Sequence, residues 1–153
     1  MKEKESERWY IMKIRDVMTS PAIRIHPGEP VTVAARALEH YNIGVLPVCG
    51  SDGQLQGVVT DRDIVTRCLA SERNPVQTDV AQIMTGQVLT VGPDASTAEA
   101  ARLMGARQVR RLPVVENGKL CGMVSLGDLA VAPEGSLDAA DALADISENV
   151  SMR

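Results

Sequence analysis

The sequence predicts a mixed α/β (α+β) fold built from two tandem βαββα repeats. The first observation is internal repetition, because three landmarks recur at an almost constant offset of 66 or 65 residues. The second is a glycine-containing turn between two short apolar runs in each half, and the third is a helical apolar pattern ahead of those runs. The landmarks are a Met-Thr pair, a Leu-Pro-Val run and a motif of Gly, two apolar residues, Ser or Thr, two variable residues and Asp, at 18–19 and 84–85, 46–48 and 112–114, and 57–63 and 122–128.

Each repeat is expected to begin with a short strand and a helix. The strands are the apolar runs 22–25 and 88–91, and a proline-containing turn follows each of them. The helices are predicted over Val31–Tyr41 and Thr97–Arg107 from their apolar spacing. Four residues of the second helix are spaced to pack against a sheet, namely Ala98, Ala101, Leu103 and Met104.

Turn and cap residues predict the remaining elements. Asn117-Gly118 between two apolar runs is a strong hairpin signal, and 51–53 separates the equivalent runs of the first half. A half of about 50 residues is too small to be stable alone, so the two halves are expected to share one core. Ser96 with Glu99 is a capping-box pattern at the start of the helix Thr97–Arg107. A last helix is predicted in each repeat, beginning at Thr60 or Asp61 in the first and at Ser125 in the second, because these residues favour helix starts.

The chain divides into five predicted segments. They are an N-terminal arm at 1–12, a first repeat at 13–70, a linker at 71–79, a second repeat at 80–131 and a C-terminal tail at 132–153. An acidic amphipathic helix is predicted within the tail, over Leu137–Ile146. Its apolar face could dock on the body or on a second subunit, and comprises Leu137, Ala140, Leu143 (or Ala144) and Ile146.

Composition argues against several classes of function. A net charge of −4 and an aromatic content of 2% disfavour nucleic-acid binding. No apolar run reaches the roughly 18 residues of a membrane span, and the N-terminus lacks the apolar stretch of a secretory signal. Three cysteines without a C-x-x-C pair and only two histidines favour neither a disulfide framework nor a metal site. We therefore expect a cytoplasmic protein with buried, reduced thiols. Since no nucleophile–base pairing or phosphate-binding glycine run is present, we expect no catalytic activity.

The paired Leu-Pro-Val and Gly-to-Asp motifs resemble those of a tandem pair of CBS domains, named for cystathionine β-synthase, over residues 13–131. The chain is similar to stand-alone bacterial CBS-pair proteins of the hypoxic-response and general-stress kind. This resemblance implies a pair with pseudo-two-fold symmetry that forms homodimers. It also implies a regulatory module with up to two clefts between the repeats, which binds adenine nucleotides or S-adenosyl compounds and signals to a partner protein. AMP, ADP or ATP is the implied ligand, and no cofactor is required.

The resemblance also implies which residues form the clefts. In the family, each Gly-to-Asp motif faces the first strand and the proline-containing segment of the other repeat. Carried over residue by residue, site A comprises Thr60, Arg62, Asp63, Val88, Leu89, Arg110, Arg111 and Pro113. Site B comprises Ser125, Gly127, Asp128, Ala22, Ile23, Gly44, Val45 and Pro47.

The two implied sites differ in charge. Arg110 and Arg111 belong to site A, whereas site B has Gly44 and Val45 at the corresponding positions. Because a charge-assisted contact contributes about 1.5–3 kcal/mol, site A is expected to prefer a phosphorylated ligand such as AMP or ATP. Site B is expected to be empty or to take a less charged adenosyl ligand.

Alternatives stay open at this stage. Asp63 and Asp128 are also residues that an ordinary helix N-terminus favours, and Arg110 with Arg111 could be a solvated charge pair. In that case the protein would be an interaction or stress protein without a physiological nucleotide ligand.

Overall fold

The computed structural model of the chain describes residues 11–131 and 136–151. Both long helices of the repeats have the predicted bounds, and both hairpins form. Of the predicted arm at 1–12, only Ile11 and Met12 are among the described residues. The elements are α1 (Ile14–Val17), α2 (Val31–Tyr41), β1 (Val45–Cys49), β2 (Leu55–Thr60), α3 (Asp61–Asp63) continuing as a π-helix (Ile64–Leu69), a 3₁₀ helix (Val80–Gln82), α4 (Thr97–Arg107), β3 (Arg111–Glu116), β4 (Lys119–Ser125), α5 (Leu126–Val131) and α6 (Ser136–Ser151).

Local cap chemistry explains where α4 begins and where both long helices end. The Ser96 hydroxyl accepts a hydrogen bond from the Glu99 amide at 3.1 Å, which is one half of the predicted capping box. Asn42 and Gln108 end α2 and α4 in the left-handed conformation, with φ of 52° and 56°. This conformation stops the helix and satisfies carbonyls of its last turn.

The two predicted first strands are reduced to single bridge residues. Ile25 pairs in parallel with Val48, and Val91 pairs in parallel with Val114. The Ile25 and Val91 amides donate to the carbonyl oxygens of Pro47 and Pro113. To extend either ladder towards the N-terminus, the same two residues would have to donate through their own backbone nitrogens. Proline has no N–H, so neither ladder continues in that direction.

The hairpins follow their turn residues. Asn117 and Gly118 have φ of 53° and 79°, which are the positive values of a type I′ turn and join β3 to β4. In the first hairpin, β1 and β2 pair antiparallel from Val45 opposite Thr60, with an irregularity between Val48 and Cys49. The hairpin that Asn117-Gly118 predicts is therefore present, with the turn conformation that these two residues favour.

The described residues form two compact units that do not coincide with the sequence repeats. One unit contains 11–20, 90–116, 121–131 and 136–151, and the other contains 21–89 and 117–120. Each unit therefore includes the Met-Thr segment from the start of the repeat that forms most of the other unit. None of the helices in the described part of the chain is both long and apolar enough to cross a membrane.

A backbone pairing holds each Met-Thr segment in the unit that the other repeat mainly forms, and we call these two segments the exchanged segments. In the unit of residues 21–89, Val58 and Thr85 exchange two backbone hydrogen bonds of 2.9 and 2.8 Å. In the other unit, Thr19 and Met123 do the same at 2.8 and 3.0 Å. The motif glycine next to each pair has no room for a side chain, because a Cβ there would overlap the carbonyl oxygen of Thr85 or Thr19.

An aliphatic core holds the unit of residues 21–89 together. Two fully buried residues, Val80 in the 3₁₀ helix and Ile83 directly after it, belong to this core although they lie at the start of the second repeat in sequence. The core consists of Ile25, Val31, Ala34, Leu38, Leu46, Val48, Val59, Cys68, Val80 and Ile83. It contains no aromatic residue, as the composition predicts.

The C-terminal helix is longer than predicted, and its buried face is different. α6 runs Ser136–Ser151 and packs on α4 and α5 in its own unit, so it docks on the body. Its buried side chains are Ala139, Ala142 and Ile146, whereas the predicted Ala140 and Leu143 are exposed. The side chain of Leu137 lies outside the described residues.

The packing face of α4 is also rotated from the prediction. Ala98 and Leu103 are only half-buried, although Ala101 and Met104 are buried as expected. The physical reason is that α4 packs against α6 as well as against a strand. Its buried residues are Thr97, Ala100, Ala101, Met104 and Gly105.

Candidate functional site

The first Gly-to-Asp motif ends in a closed hydrogen-bond cluster. The Thr60 amide donates to Asp63 Oδ2 at 3.0 Å, and the Asp63 amide donates to Thr60 Oγ1 at 3.0 Å. This reciprocal capping box explains why the motif needs a hydroxyl and a carboxylate three residues apart. The Thr85 hydroxyl lies 3.3 Å from both carboxylate oxygens of Asp63, which is only 6% exposed.

Arg67 completes this cluster. Its Nη1 donates to the carbonyl oxygens of Ile83 and Met84 at 3.2 and 3.0 Å, and to Thr85 Oγ1 at 3.3 Å. Its Nε lies 3.8 Å from Asp63 Oδ1. The sequence analysis did not predict a role for Arg67. The available signal was its position four residues after an acidic residue on a helix, where opposite charges meet.

The second motif repeats the cap without those additional partners. The Ser125 amide donates to Asp128 Oδ2 at 2.8 Å, and the Asp128 amide donates to Ser125 Oγ at 3.1 Å. Asp128 is half-buried, and no lysine or arginine of residues 11–131 and 136–151 forms an ion pair with it. At the sequence position equivalent to Arg67 the chain has Ala132. The two motif carboxylates are therefore chemically unequal, and Asp128 has the fewer protein partners.

A cavity of about 540 Å³ opens beside the second motif, within a single unit. This volume is within the usual range of small-molecule pockets, about 300–1,000 Å³. The Leu126 amide donates to the Arg110 carbonyl oxygen at 2.8 Å, which brings the start of β3 next to the end of β4. The lining residues are Arg110, Arg111, Ser125, Leu126, Gly127, Ala130, Ala139, Ala140 and Leu143.

The cavity lining favours an anion with an apolar part. Two of its described residues, Arg110 and Arg111, are cationic, and none of the described ones is acidic. Both arginines are exposed at the start of β3. Guanidinium groups form strong, paired hydrogen bonds with phosphate oxygens, while alanine and leucine side chains suit a flat ring.

Residues predicted for different sites meet in this cavity. Arg110 and Arg111 were predicted for site A, and Ser125 and Gly127 for site B, yet all four line it. Pro113 is buried in β3, where its carbonyl oxygen accepts from the Val91 amide at 3.1 Å.

The other predicted site residues lie in the unit of residues 21–89. Ala22 and Pro47 are buried, Val45, Val88 and Leu89 are half-buried, and Ile23, Gly44 and Arg62 are exposed. Sites A and B each combine residues of both units, and as complete sites they stay predictions.

None of the three cysteines, all of which lie among the described residues, forms a disulfide. Burial raises the pKa of the Cys49 thiol; nearby Arg24 opposes this, and Asp52 adds to it. Cys68 is fully buried and its thiol lies 3.5 Å from the Arg73 carbonyl oxygen. Among the described residues, no group of three or more His, Cys, Asp or Glu side chains could hold a metal ion.

With two motif-bearing hairpins described, the chain can be compared with known proteins. The family model of the CBS domain matches residues 14–70 and again 80–135. The chain belongs to the CBS-domain family, whose paired domains are ligand-binding regulatory modules. The predicted tandem CBS fold is thereby confirmed.

Two bacterial relatives cover most of the chain. It is 37% identical over 134 residues to the CBS domain-containing protein YhcV of Bacillus subtilis, covering 88% of this chain and 94% of that protein. It is 35% identical over 116 residues to Hypoxic response protein 1 of Mycobacterium tuberculosis, covering 76% and 81%. The predicted similarity to hypoxic-response proteins is confirmed.

Two similar solved structures contain adenosine-based ligands. The CBS domain pair of protein MJ0100, in complex with 5'-methylthioadenosine and S-adenosyl-L-methionine, has a TM-score of 0.71 and 27% identity, covering 83% of this chain and 99% of that one. CBSX2 in complex with AMP has a TM-score of 0.67 and 30% identity, covering 76% and 91%.

Proposed function

We propose that this protein is a non-catalytic, ligand-sensing regulatory module that binds an adenine nucleotide of the AMP, ADP or ATP type. The observation that carries this proposal is the cavity beside the second motif, in which Arg110 and Arg111 adjoin an apolar wall. Phosphate oxygens would contact the two guanidinium groups and the Ser125 hydroxyl. The AMP complex of CBSX2 supports this ligand class.

We assign the ribose of the nucleotide to the carboxylate of one of the two Gly-to-Asp motifs. Asp128 is the stronger candidate, because Asp63 is 6% exposed and already contacts Thr60, Thr85 and Arg67. A carboxylate that keeps acceptor capacity can take hydrogen bonds from a ribose diol. Sites A and B, with the residues named for them above, stay a separate proposal, in which Arg110 and Arg111 share a site with Asp63 and not with Asp128.

A second candidate ligand is an S-adenosyl compound. The MJ0100 complexes support it, as do the apolar side chains Ala139, Ala140 and Leu143 in the cavity lining. Such a ligand lacks phosphate, so it would gain little from Arg110 and Arg111. The two candidates therefore differ in their dependence on these arginines.

We also infer that the protein is a cytoplasmic homodimer that signals to a partner protein. Exposed apolar side chains on the second helix of each repeat support the dimer. Val65 and Leu69 on the π-helix are 57% and 54% exposed, and Val131 at the end of α5 is 83% exposed.

Thermal unfolding with candidate ligands tests the proposed function. AMP, ADP, ATP, NADH and S-adenosylmethionine are each added at about 1 mM, because a ligand at 100 times its Kd stabilises by about 2.7 kcal/mol. We expect phosphorylated adenosines to raise the Tm, and Arg111→Ala and Asp128→Ala to reduce that rise. Arg102→Ala is the matched control, since Arg102 is exposed on α4 and does not line the cavity.

The same experiment can refute the proposal. Equal stabilisation by adenosine and AMP would refute a role for the arginines in phosphate binding. No stabilisation by any of these ligands would favour the alternative of an interaction or stress protein without a nucleotide ligand.

A further inference from the structure

The C-terminal helix α6 lies beyond the part of the chain that matches the family. The second CBS match ends at residue 135, and α6 begins at Ser136. Nevertheless α6 contributes Ala139, Ala140 and Leu143 to the cavity lining. The cavity is therefore closed on one side by an element that lies outside the two CBS matches.

We propose that α6 is the adenine-binding wall of the ligand site, an inference that rests on the proposed function. The phosphate end of the ligand lies against Arg110 and Arg111, which stand on the β3 side of the cavity. The adenine ring packs on the apolar side chains of α6. Leu143 is 43% exposed although its helix is docked, so it offers an apolar surface that a flat ring can cover.

The docked face of α6 consists largely of small side chains. Among its described side chains, the buried ones are Ala139, Ala142 and Ile146, and of these three Ile146 is the one larger than alanine. Gly105 of α4 allows the approach, because a Cβ there would lie 3.2 Å from Ala142 Cα and 3.0 Å from Asp145 Oδ2. A buried alanine removes little apolar area from water, so a ligand that packs on α6 would add appreciably to the free energy that keeps the helix docked.

Ligand binding and helix docking are therefore coupled. A ligand that contacts docked α6 stabilises the docked state, and by linkage the docked state binds the ligand more tightly. Occupancy of the cavity thus becomes a change in the exposure of α6, which a partner protein can recognise. In this account α6 is the part of the regulatory module that transmits ligand binding to the partner protein.

Two alanines on α6 provide a matched test of whether this helix contacts the adenine ring. Ala140 and Ala144 are both exposed on α6, but only Ala140 lines the cavity. AMP and adenosine are titrated by calorimetry into the wild type, Ala140→Trp and Ala144→Trp, after circular dichroism has shown that each variant is folded. We expect Ala140→Trp to weaken both ligands about tenfold or more, and Ala144→Trp to leave both Kd values within about twofold of the wild type. Arg111→Ala should weaken AMP more than adenosine.

Hydrogen exchange of the wild type gives a measurement that needs no variant. Added AMP should slow amide exchange in the last three turns of α6. The reason is that ligand binding increases the population of the docked state, in which these amides are protected.

The outcomes separate the two proposals. If AMP binds the wild type but Ala140→Trp binds it equally well, or if exchange in α6 is unchanged by AMP, the wall is refuted and the proposed function stands. If AMP and adenosine fail to bind the wild type, the proposed function is refuted and this inference with it.

Discussion

Arg67 is the residue that most directly holds the first motif together. It joins the π-helix to the Met-Thr segment at Met84 and Thr85, and it lies beside the buried carboxylate of Asp63. Hydrogen bonds that involve a charged group contribute about 1.5–3 kcal/mol each, and Arg67 is half-exposed, which reduces that value.

We expect Arg67→Met to lower the free energy of unfolding by about 1–3 kcal/mol, measured by urea denaturation. The substitution keeps an unbranched apolar stem but removes the donors to three acceptors. Arg62→Met is the control, because Arg62 is exposed on the same helix and should change stability by about 0.5 kcal/mol or less. Equal losses in the two variants would show that the cluster is not a stabilising contact.

The buried Cys49 predicts a loss of stability at alkaline pH. Its pKa is raised above the ordinary value of 9.0, mainly by burial. Above about pH 9 the unfolded chain therefore releases the thiol proton more readily than the folded protein, and the free energy of unfolding falls as pH rises. Urea denaturation at about pH 8 and 10 should show a larger loss in the wild type than in Cys49→Ala. The same pH dependence in both proteins would contradict this account.

At the scale of elements, the exchanged Met-Thr segments depend on two glycines. Gly57 and Gly122 each lie where a Cβ would overlap the carbonyl oxygen of the segment paired with β2 or β4. The first residue of the motif is thus a packing requirement of the fold, whereas its hydroxyl and carboxylate form the cap.

We expect Gly57→Ala and Gly122→Ala each to destabilise the protein by about 1–3 kcal/mol, because the added methyl must push a hydrogen-bonded backbone away. Gly86→Ala is the control, since nothing lies within 4 Å of a Cβ at that position. It should be neutral or stabilising by up to about 1 kcal/mol. Thermal unfolding of the three variants distinguishes these cases, and a neutral Gly57→Ala would mean that the Thr85 segment can move.

The elements that sequence could predict are those with local causes. The Ser96 cap marks the start of α4, a residue in the left-handed conformation ends both α2 and α4, and Asn117-Gly118 fixes its hairpin by its own conformation. The first strands were predicted too long, because their pairing partners are distant and contain Pro47 and Pro113.

Non-local contacts account for the other differences. The predicted face of α6 was right at Ile146 but wrong at Ala140 and Leu143, because amphipathic spacing does not identify which surface the helix docks on. The Arg67 cluster was missed because its acceptors lie 16 to 18 residues further along the chain. For the candidate site, the arginines and Ser125 were predicted as ligand residues, but their meeting in one cavity was not.

At the scale of the whole molecule, the boundaries of the two compact units differ from those of the two sequence repeats. Val80 and Ile83 belong to the core of residues 21–89, although the linker separates them from the first repeat in sequence. Both are fully buried, and each buried aliphatic side chain contributes about 1.5–3 kcal/mol. A domain has only about 5–15 kcal/mol in total, so their absence would remove a large share of the stability.

Two fragments of nearly equal length should therefore behave differently. Residues 13–79 form the first repeat with its linker but lack Val80, Ile83 and the Thr85 pairing, and they retain 13–20, whose partners lie in the other unit. Residues 21–89 keep the core and the Arg67 cluster and omit that unpaired segment. We expect a cooperative urea transition and native-like helix content by circular dichroism for 21–89, and neither for 13–79. If 13–79 folded as well as 21–89, the sequence repeat would be the element that folds independently, and the compact unit would not. The glycines of the two motifs would then serve an interface that forms after each repeat has folded.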